Sequence, residues 1–587
     1  TTAVMVAWGA AVAAQQAADA VDPEAASSGT FDAISPAVAE ALAAKAEGLP
    51  VVAADWMVAA ANPHAVQAGA DVLARGGTAA DALVAVQVML GLVEPQSSGL
   101  GGGAFLVWYD AASGEVTTLD GRETAPLAAT PQLFQDDTGA PLKFFDAVVG
   151  GLSVGTPGTP ALLAEVHARW GTQDWASLLA PAQDLARGGF AVSPRLAGLV
   201  AGDAERLASS EVTAGYFLPG GVPVAAGDTL VNPAYAETLE AFAAEGAAAF
   251  YGGGIGRDIE ATVEGAAKPG VLSEVDLAIY QVKERPAVCA PYRGHEVCGM
   301  GPPSSGAVAV GQILGALEGF DLSAGPQDLE VRRLMGDAAR LAFADRGRYL
   351  ADSDYVPVPV DGMLDPAYMA ARAQVLNTDA ALSDVAPGNP AFDHALHWAD
   401  DISIELPSTS HISIVDAAGN VASMTTTIEN GFGSRLMVGG FLLNNELTDF
   451  SFRSHRDGVP IANRVEPGKR PRSSMSPTIV LKDGAPVLAV GSPGGSRIIG
   501  YVAQASIGVV DWGMDVQQAA SLSHAGNRFG TYDLEEGTVS VELTEGLTAM
   551  GFEVITRALS SGLLLFAIGE GRQGGADPRR EGIALGK

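Results

Sequence analysis

The sequence is poor in basic residues, in cysteine and in long apolar runs. Of its 587 residues, 34 are Lys or Arg and 68 are Asp or Glu, which gives a formal net charge of −34. Such an acidic surface repels nucleic-acid phosphates and anionic lipid headgroups, and this argues against nucleic-acid binding. A solvated surface that favours solubility is the simplest explanation of the charge, and an acidic docking surface is the alternative.

No apolar run reaches the roughly 18 residues that a membrane-spanning helix needs, so we expect no membrane span. The start of the chain is largely apolar up to Ala14 and then turns polar at Gln15. This resembles the hydrophobic part of a secretory signal without its basic beginning. We expect residues 1–50 to be a leader or truncated signal region of a periplasmic or secreted protein, and an ordinary Ala-rich helix is the alternative.

The two cysteines are Cys289 and Cys298, with a plausible hairpin turn at Arg293 and Gly294 between them. Folding about that turn sets the cysteines opposite each other in an antiparallel pair, close enough for a disulfide in an oxidising compartment. Two reduced, buried thiols are the alternative. The eight histidines are scattered and no four-ligand zinc spacing occurs, so we expect no metal site.

The composition predicts a globular α/β protein, with 48% hydrophobic residues and 72 glycines. Apolar residues at helical spacing over 56–93 predict two helices separated by a turn at Gly76 and Gly77. The pattern of residues 157–350 predicts a mainly helical middle region of the chain. Residues 376–408 contain prolines and acids without a sustained period, which predicts an exposed or mobile connection.

Strands return after this connection and place a threonine in an unusual position. Residues 411–428 alternate on either side of a turn near Ala418. A hairpin symmetric about Ala418 sets Thr409 opposite Thr427, about 5 Å apart at Cβ. Cutting the Ser408–Thr409 bond would free Thr409 as an N-terminus, with a hydroxyl nucleophile and its own amine as base. Taken alone, threonine is a common strand former, so this assignment needs support from elsewhere.

A glycine-rich loop, GSPGGSR from Gly491 to Arg497, supplies that support. It follows a predicted buried strand and precedes a predicted helix. Consecutive glycines let backbone N–H groups point into one space, and such a nest can stabilise an oxyanion. A phosphate-binding loop would need Gly-Lys-Ser/Thr, which is missing. A plain tight turn is the remaining alternative.

The chain resembles the γ-glutamyltranspeptidases (glutathione hydrolases), N-terminal-nucleophile enzymes that are made as one precursor and cut into large and small subunits. The similarity covers about residues 52–580 in family order, in the blocks MVAAANPHAVQAGADVLARGGTAADA, PQSSGLGGGAFLV, LDGRETAP, PPSSGAVA, TSHISIVDAAGNVASMTTTIE, GFLLNNELTDFS, KRPRSSMSPT, GSPGGSR and GGADPRREG. It implies a four-layer αββα sandwich. The large subunit would be residues 51–408 and the small subunit residues 409–587, intertwined in one globular domain.

The resemblance also implies where the chemistry takes place. It implies self-cleavage between Ser408 and Thr409, with Thr409 as the nucleophile both for this cut and for turnover. Thr427 matches the threonine that hydrogen-bonds the nucleophile. Gly494 and Gly495 match the glycines of the oxyanion hole.

Further matches concern the substrate. Arg122 matches the arginine that binds the substrate α-carboxylate, for which a forked guanidinium is suited, and Ser473 and Ser474 match the serines that assist it. Glu446 and Asp449 match residues that hold the α-ammonium at the other end of the γ-glutamyl group. Without the resemblance, Arg122 is more simply a surface ion-pair partner, and the two acids are a solvated face.

The implied activity is that of a self-cleaving γ-glutamyltransferase or glutathione hydrolase. Thr409 would take the γ-glutamyl group of a glutathione-class donor as an ester and pass it to water or to an amino acid or peptide acceptor. The two subunits would stay associated after the cut. The reaction needs neither a metal nor an organic cofactor.

Two departures from the best-known members leave the substrate open. Glu429 stands where those members carry Asn, which adds a third carboxylate near the ammonium site. The segment between Ser451 and Lys469 is short and lacks the tyrosine of the family's lid, which predicts a more open cleft. A cephalosporin or glutaryl acylase of the same family, which cleaves amides without the α-amino group, is therefore an alternative. An uncut, non-catalytic binding protein is another.

Overall fold

The computed structural model describes residues 31–394, 397–401, 403, 405–406, 408–569 and 571–587. Residues 1–30, most of the expected leader region, lie outside the described residues. The described end of that region forms helix α1, Pro36–Ala46, which packs against the C-terminal strand. Lys45 on this helix donates from Nζ to the backbone carbonyl of Gly582 at 2.7 Å.

Helices make up much of the first two thirds of the described chain. After α1 they are α2 Pro63–Ala74, α3 Ala79–Val93, α4 Phe144–Val148, α5 Thr159–Trp170, α6 Trp175–Gly188, α7 Pro194–Leu207, α8 Glu211–Phe217, α9 Pro233–Glu245, α10 Ala248–Tyr251, α11 Gly254–Glu264, α12 Glu274–Ala278, α13 Gly306–Leu317, α14 Leu329–Tyr349, α15 Val360–Leu364, α16 Pro366–Gln374, α17 Ile498–Val510, α18 Val516–Ser521 and α19 Thr544–Ala549.

Strands occur at both ends of the chain and in its middle. They are β1 Val51–Ala53, β2 Met57–Ala60, β3 Gly103–Tyr109, β4 Val116–Gly121, β5 Phe190–Ala191, β6 Thr229–Leu230, β7 Lys283–Tyr292, β8 His295–Met300, β9 Ser410–Val415, β10 Val421–Thr427, β11 Met437–Val438, β12 Phe441–Leu442, β13 His455–Arg456, β14 Val459–Pro460, β15 Thr478–Lys482, β16 Ala485–Gly491, β17 Ala525–Asn527, β18 Thr531–Glu535, β19 Glu553–Arg557, β20 Leu564–Ile568, β21 Arg572–Ala576 and β22 Ile583–Gly586.

The main sheet has the strand order β1-β21-β20-β16-β15-β8-β7-β4-β3-β10-β9-β2-β22. Its two halves meet at the long strand β7, whose first residues pair with β4 and whose later residues pair with β8. The halves pack against each other, since β10 contacts β16 and β2 contacts β21. Helices α2 and α3 pack on the half that contains β2 and β9, and α13 and α17 pack on the other half.

The β9–β10 hairpin has the register that symmetry about Ala418 predicts. Ser410 faces Thr426 and His411 faces Thr425 in an antiparallel ladder. Asp416 closes the turn because its Oδ1 accepts from the backbone N–H groups of Ala418 and Asn420, each at 3.0 Å. The polar turn and the buried strands together fix the pairing.

A close contact between the two halves of the sheet positions this hairpin. The ring of His411 on β9 lies against Gly491 at the end of β16, where a Cβ atom would overlap it. The ring is fully buried and hydrogen-bonds to Thr425 Oγ1 and Ser413 Oγ, each at 2.9 Å. Burial lowers the pKa of His411 to about 3, so the imidazole is neutral. The strand that follows Thr409 therefore packs directly on the strand that leads into the glycine loop.

Several sequence-based predictions are confirmed and two need correction. The helices on either side of Gly76 and Gly77 are present, as is the strand, turn and helix over 485–510. However, Met57–Ala60, which was included in the helical region, is a fully buried strand, since short apolar runs do not separate strand from buried helix. The connection expected to be exposed is buried at its end, where Asp401, Glu405, Leu406 and Ser408 are all at most 9% exposed.

The two cysteines face each other on β7 and β8, and the structure joins them by a disulfide. The turn between the strands contains Arg293 and Gly294, both with positive φ, as a tight two-residue hairpin requires. Within the part of the chain that the structure describes, none of the helices has the length and apolar character to cross a lipid bilayer.

The contact of His411 with Gly491 gives a test of how the hairpin is positioned. A methyl group at residue 491 would push β9 away from the glycine loop, so Gly491→Ala should destabilise the fold by about 1–3 kcal/mol and slow any chemistry at Thr409. Gly500→Ala on α17 is the matched control, because a Cβ there meets no atom within 4 Å. Urea unfolding curves compare the two variants. Equal stability of the two would contradict the packing described here.

Candidate active site

Thr409 lies one residue before β9, and its side chain is buried. Its Oγ1 lies 3.1 Å from Oγ1 of Thr427, the last residue of β10. Thr427 Oγ1 also accepts from the backbone N–H of Glu429 at 2.9 Å, which fixes the position of this hydroxyl. The hairpin register thus brings the two threonine hydroxyls together.

The backbone at Thr409 is strained. Its φ is 102°, a region that β-branched residues rarely adopt because Cβ and the carbonyl group collide. Hydrogen bonds hold the chain on both sides of this point. Ser408 donates from Oγ to the Gln96 carbonyl at 3.1 Å, and Arg580 donates from Nη1 to the Thr409 carbonyl at 3.3 Å. Strain that the surrounding structure maintains in this way is typical of functional sites.

The glycine loop lies beside Thr409. Gly494 and Gly495 have φ values of 139° and 56°, which suit glycine, and α17 begins three residues later. Gly495 lies against the Leu406 carbonyl group, whose carbon would be 2.8 Å from a Cβ at this position. The loop therefore contacts the segment that precedes Thr409.

A small cavity next to Thr409 brings most of the predicted site residues together. Its volume of about 20 Å³ is enough for about one water molecule. It is lined by Arg122, Glu405, Leu406, Thr409, Thr427, Glu429, Glu446, Asp449, Ser473, Ser474, Met475, Gly495 and Ile498. Of the predicted residues, Ser408 and Gly494 do not line it. Glu405 and Leu406, which come just before the predicted cleavage position, are among its walls, and the more open cleft stays a prediction.

The charged residues of the cavity are arranged differently from the prediction. Arg122 and the pair Glu446 and Asp449 were expected at opposite ends of a substrate, but they are in direct contact. Arg122 Nη1 donates to Glu446 Oε1, and Nη2 donates to Asp449 Oδ2 at 2.6 Å. The guanidinium is fully buried, and a buried cation without a carboxylate partner is strongly destabilising.

The carboxyl groups around Arg122 have unusual protonation. Burial foremost, and repulsion between neighbouring acids, raise the pKa of Glu429 to about 8 and raise the pKa of Glu446. The same causes raise the pKa values of Glu123 and Asp449 well above their usual range. Some of these carboxyl groups therefore keep their protons near neutral pH. Among the described residues, no group of His, Cys, Asp or Glu is arranged to hold a metal ion.

The cavity is also lined by four residues that the sequence did not single out, Glu405, Leu406, Met475 and Ile498, and a fifth, Arg346, contacts two of the lining residues. Arg346 on α14 donates from Nη2 to Glu405 Oε1 and to Ser474 Oγ. Leu406 N lies 3.4 Å from Glu429 Oε1. A signal for Glu405 and Leu406 was available, since they immediately precede the predicted cleavage position. Arg346 lies within a regular helix and its sequence context gives no such signal.

Comparison with known proteins gives consistent results. The model of the gamma-glutamyltranspeptidase family matches residues 65–587. A protein named glutathione hydrolase proenzyme from Bacillus subtilis (strain 168) is 37% identical over 551 residues, 91% of this chain and 92% of its own length. A protein named acylase ACY 1 proenzyme from Pseudomonas sp. (strain SE83) is 35% identical over 518 residues, 87% of this chain and 89% of its own.

A solved structure is similar over almost the whole chain. The crystal structure of a cephalosporin acylase from Bacillus halodurans superimposes with a TM-score of 0.81 at 25% identity. The match covers 92% of this chain and 97% of the acylase. These matches confirm the family resemblance noted in the sequence. The similar proteins include some named glutathione hydrolase and some named acylase, so each of the two candidate activities has a relative.

The raised pKa of Glu429 predicts how stability depends on pH. Between about pH 4.5 and 8 the folded chain keeps a proton on Glu429 that the unfolded chain loses, so stability falls as pH rises through this window. Glu429→Gln removes this dependence. In an uncut Thr409→Ala background it should raise the Tm at pH 9 by about 2 °C more than at pH 5.

Calorimetric scans from pH 5 to 9 measure this effect, and exposed Glu237 on α9 provides the control substitution Glu237→Gln. A gain in Tm that is the same for Glu429→Gln at every pH would show that Glu429 does not hold a proton in the folded chain.

Proposed function

Because the chain belongs to the γ-glutamyltranspeptidase family, we propose that it is a self-cleaving γ-glutamyltransferase and glutathione hydrolase with Thr409 as its nucleophile. The observation that carries this is the 3.1 Å contact between the Thr409 and Thr427 hydroxyls at a cavity lined by charged residues. The similar relatives are named proenzymes, and this supports the proposal that the chain is cut.

The proposed fold is the four-layer αββα sandwich. The two packed halves of the main sheet, with α2 and α3 on one and α13 and α17 on the other, support this layering. Residues 51–408 form the proposed large subunit and residues 409–587 the small subunit, and they share one sheet. Residues 1–50 are the proposed leader. A disulfide supports an oxidising compartment, either the periplasm or the outside of the cell.

Self-cleavage begins with attack by Thr409 Oγ1 on the carbonyl carbon of Ser408. The peptide C–N bond breaks, the hydroxyl proton passes to the departing nitrogen, and Ser408 becomes esterified to Thr409. Water then hydrolyses this ester, leaving a carboxylate on Ser408 and a free amine on Thr409. The strained φ at Thr409 assists the first step, since such backbone strain is worth about 1–3 kcal/mol.

Turnover uses the new amine. It accepts the proton of Thr409 Oγ1, directly or through water, as the oxygen attacks the γ-carbonyl carbon of the donor. Backbone N–H groups around Gly494 and Gly495 stabilise the oxyanion. The C–N bond then breaks, the amine leaves with the proton, and a γ-glutamyl ester remains on Thr409. Water or an acceptor amine attacks the ester and restores the free hydroxyl.

The acids of the cavity are the proposed ligands of the donor's α-ammonium group. Glu429, Glu446 and Asp449 are buried together beside Thr427, and an ammonium would offset their mutual repulsion. Arg122, Ser473 and Ser474 are the proposed ligands of the α-carboxylate. A glutaryl group has no ammonium and would leave the acids without that partner.

A second candidate function is that of an acylase that cleaves cephalosporin or glutaryl amides. The relative named acylase ACY 1 proenzyme and the similar cephalosporin acylase structure favour it. The mechanism at Thr409 would be the same, and the two candidates differ only in the acyl group that the acid cluster accepts.

The first prediction concerns the cut. Wild-type protein should give two bands on a denaturing gel, and the smaller band should begin at Thr409 on N-terminal sequencing. Thr409→Ala should give one band and no turnover, because both steps use the same hydroxyl. Thr409→Ser retains a hydroxyl and should still cleave, more slowly. A wild-type protein that stays as a single chain would instead favour the uncut binding protein.

The second prediction concerns the acyl group. The wild-type enzyme should hydrolyse γ-glutamyl-p-nitroanilide with a kcat/KM at least about tenfold higher than that for glutaryl-p-nitroanilide, because only the first carries an ammonium for the acid cluster. The initial release of p-nitroaniline measures both rates. A preference for the glutaryl compound would transfer the assignment to the acylase.

A further inference from the structure

A second cavity, the α17 cavity, lies where α17 follows the glycine loop. Its volume of about 60 Å³ is enough for about four to six water molecules. Among the described residues, it shares no lining residue with the cavity beside Thr409. It is lined by Ile313, Met335, Ala339, Phe343, Arg497, Gly500, Tyr501, Ala503, Gln504, His524, Ala525, Gly526, Asn527, Arg528, Asp533 and Leu559.

Part of this lining is apolar. Ile313 on α13 and Met335 and Phe343 on α14 are all buried. Such side chains favour a ligand with an apolar portion, because covering apolar surface is favourable in water. Gly526 also lines the cavity and is exposed, so a ligand can enter from solvent at this residue.

Another part of the lining carries positive charge. Arg497 Nη2 donates to Asp533 Oδ2 at 2.7 Å, and Arg528 Nη2 lies 3.6 Å from the same oxygen. Arg557, which lies outside the lining, places Nε 3.0 Å from Asp533 Oδ1. The negative charge of Asp533 is thus balanced within the protein. A guanidinium carries five N–H donors, so Arg497 and Arg528 can bind a further carboxylate beside their partners in the protein.

Tyr501 adds a hydroxyl group to this basic part. Its side chain is buried, and its hydroxyl has no hydrogen-bond partner among the described residues. Burial raises the pKa of Tyr501 and outweighs the opposing effect of the positive charges of Arg497 and Arg528, so the hydroxyl keeps its proton. A buried donor without an acceptor is unfavourable. An acceptor atom in the cavity would therefore be stabilised by this O–H group.

We propose that the α17 cavity binds a small carboxylate with a short aliphatic chain, about the size of butyrate. The carboxylate oxygens accept from Arg497, Arg528 and the Tyr501 hydroxyl, for which forked guanidinium groups are suited. The aliphatic chain lies against the apolar side chains of α13 and α14. The site is separate from the proposed chemistry at Thr409 and goes beyond the proposed function.

Binding to uncut Thr409→Ala protein tests the proposal without any turnover. Ligand-observed NMR titrations compare butyrate with butyramide, which has nearly the same shape and no charge. The dissociation constant for butyrate should be at least about tenfold lower, because only butyrate brings a carboxylate to the two arginines. Absence of butyrate binding, or equal affinity for the two compounds, would overturn the proposal. Failure of the proposed function would leave this result unaffected.

Filling the cavity tests where butyrate binds. Gly500 lines the cavity, and a Cβ atom there meets no atom within 4 Å, so the side chain of Gly500→Leu has space to enter. This variant should lose measurable butyrate binding. Gly202→Leu on α7 is the matched control, because Gly202 is exposed and its Cβ also meets no atom within 4 Å. The control should bind butyrate like the parent protein. Unaltered affinity in Gly500→Leu would overturn the assignment.

Removal of one hydroxyl gives a milder test that does not depend on the folding of Gly500→Leu. Tyr501→Phe keeps the ring, which packs on Gly494 with Cε2 at 2.8 Å from the position of a Cβ there. It should weaken butyrate binding at least about threefold and leave butyramide binding unchanged. An unchanged affinity for butyrate would contradict the role of the hydroxyl. Thermal unfolding curves check that both variants are folded.

Acetate tests the apolar part of the site. It has the same carboxylate as butyrate but lacks two methylene groups, so it should bind at least about fivefold more weakly. Competition of acetate with butyrate in the same NMR titration measures the difference. Equal affinity of acetate and butyrate would show that the chain does not contact the apolar side chains, and the proposed class of ligand would be wrong.

Discussion

The register of the β9–β10 hairpin is the constraint on which the rest of the site depends. A slip of one residue would turn every side chain of β9 to the opposite face and would separate Thr409 from Thr427. Two interactions prevent this slip: the Asp416 side chain closes the turn, and the buried His411 ring packs on Gly491. One contact between the halves of the sheet thus positions Thr409, the proposed nucleophile, beside the glycine loop.

Buried ion pairs between arginines and carboxylates are the second feature that organises the site. Three arginines, Arg122, Arg346 and Arg472, lie around the cavity with almost no exposure, and each contacts a carboxylate of the protein. Of these groups, Arg122, its partners Glu446 and Asp449, and the Glu405 carboxylate line the cavity itself. Under the proposed function, ion pairs of the same kind would recognise a zwitterionic donor after the proposed cut.

Much of the site could be predicted from the sequence, because many of the residues concerned lie close together in the chain. The position of Thr409 opposite Thr427 follows from the spacing about Ala418, and the strand, loop and helix around Gly494 follow from alternation and glycine. The contacts of Arg122 could not be predicted in this way, since they join residues more than 300 positions apart in the chain. The strand Met57–Ala60 was missed because a run of four buried apolar residues shows neither the periodicity of a helix nor the alternation of a half-buried strand.

The proposed function requires a covalent intermediate on Thr409, and direct detection of this intermediate tests the central claim. Wild-type protein is mixed with γ-glutamyl-p-nitroanilide, quenched in acid within a turnover and examined by intact mass spectrometry. We expect the chain that begins at Thr409 to gain the mass of one γ-glutamyl group, and fragmentation to place that group on Thr409. Release of p-nitroaniline with no adduct on this chain, or with an adduct on another residue, would contradict the claim.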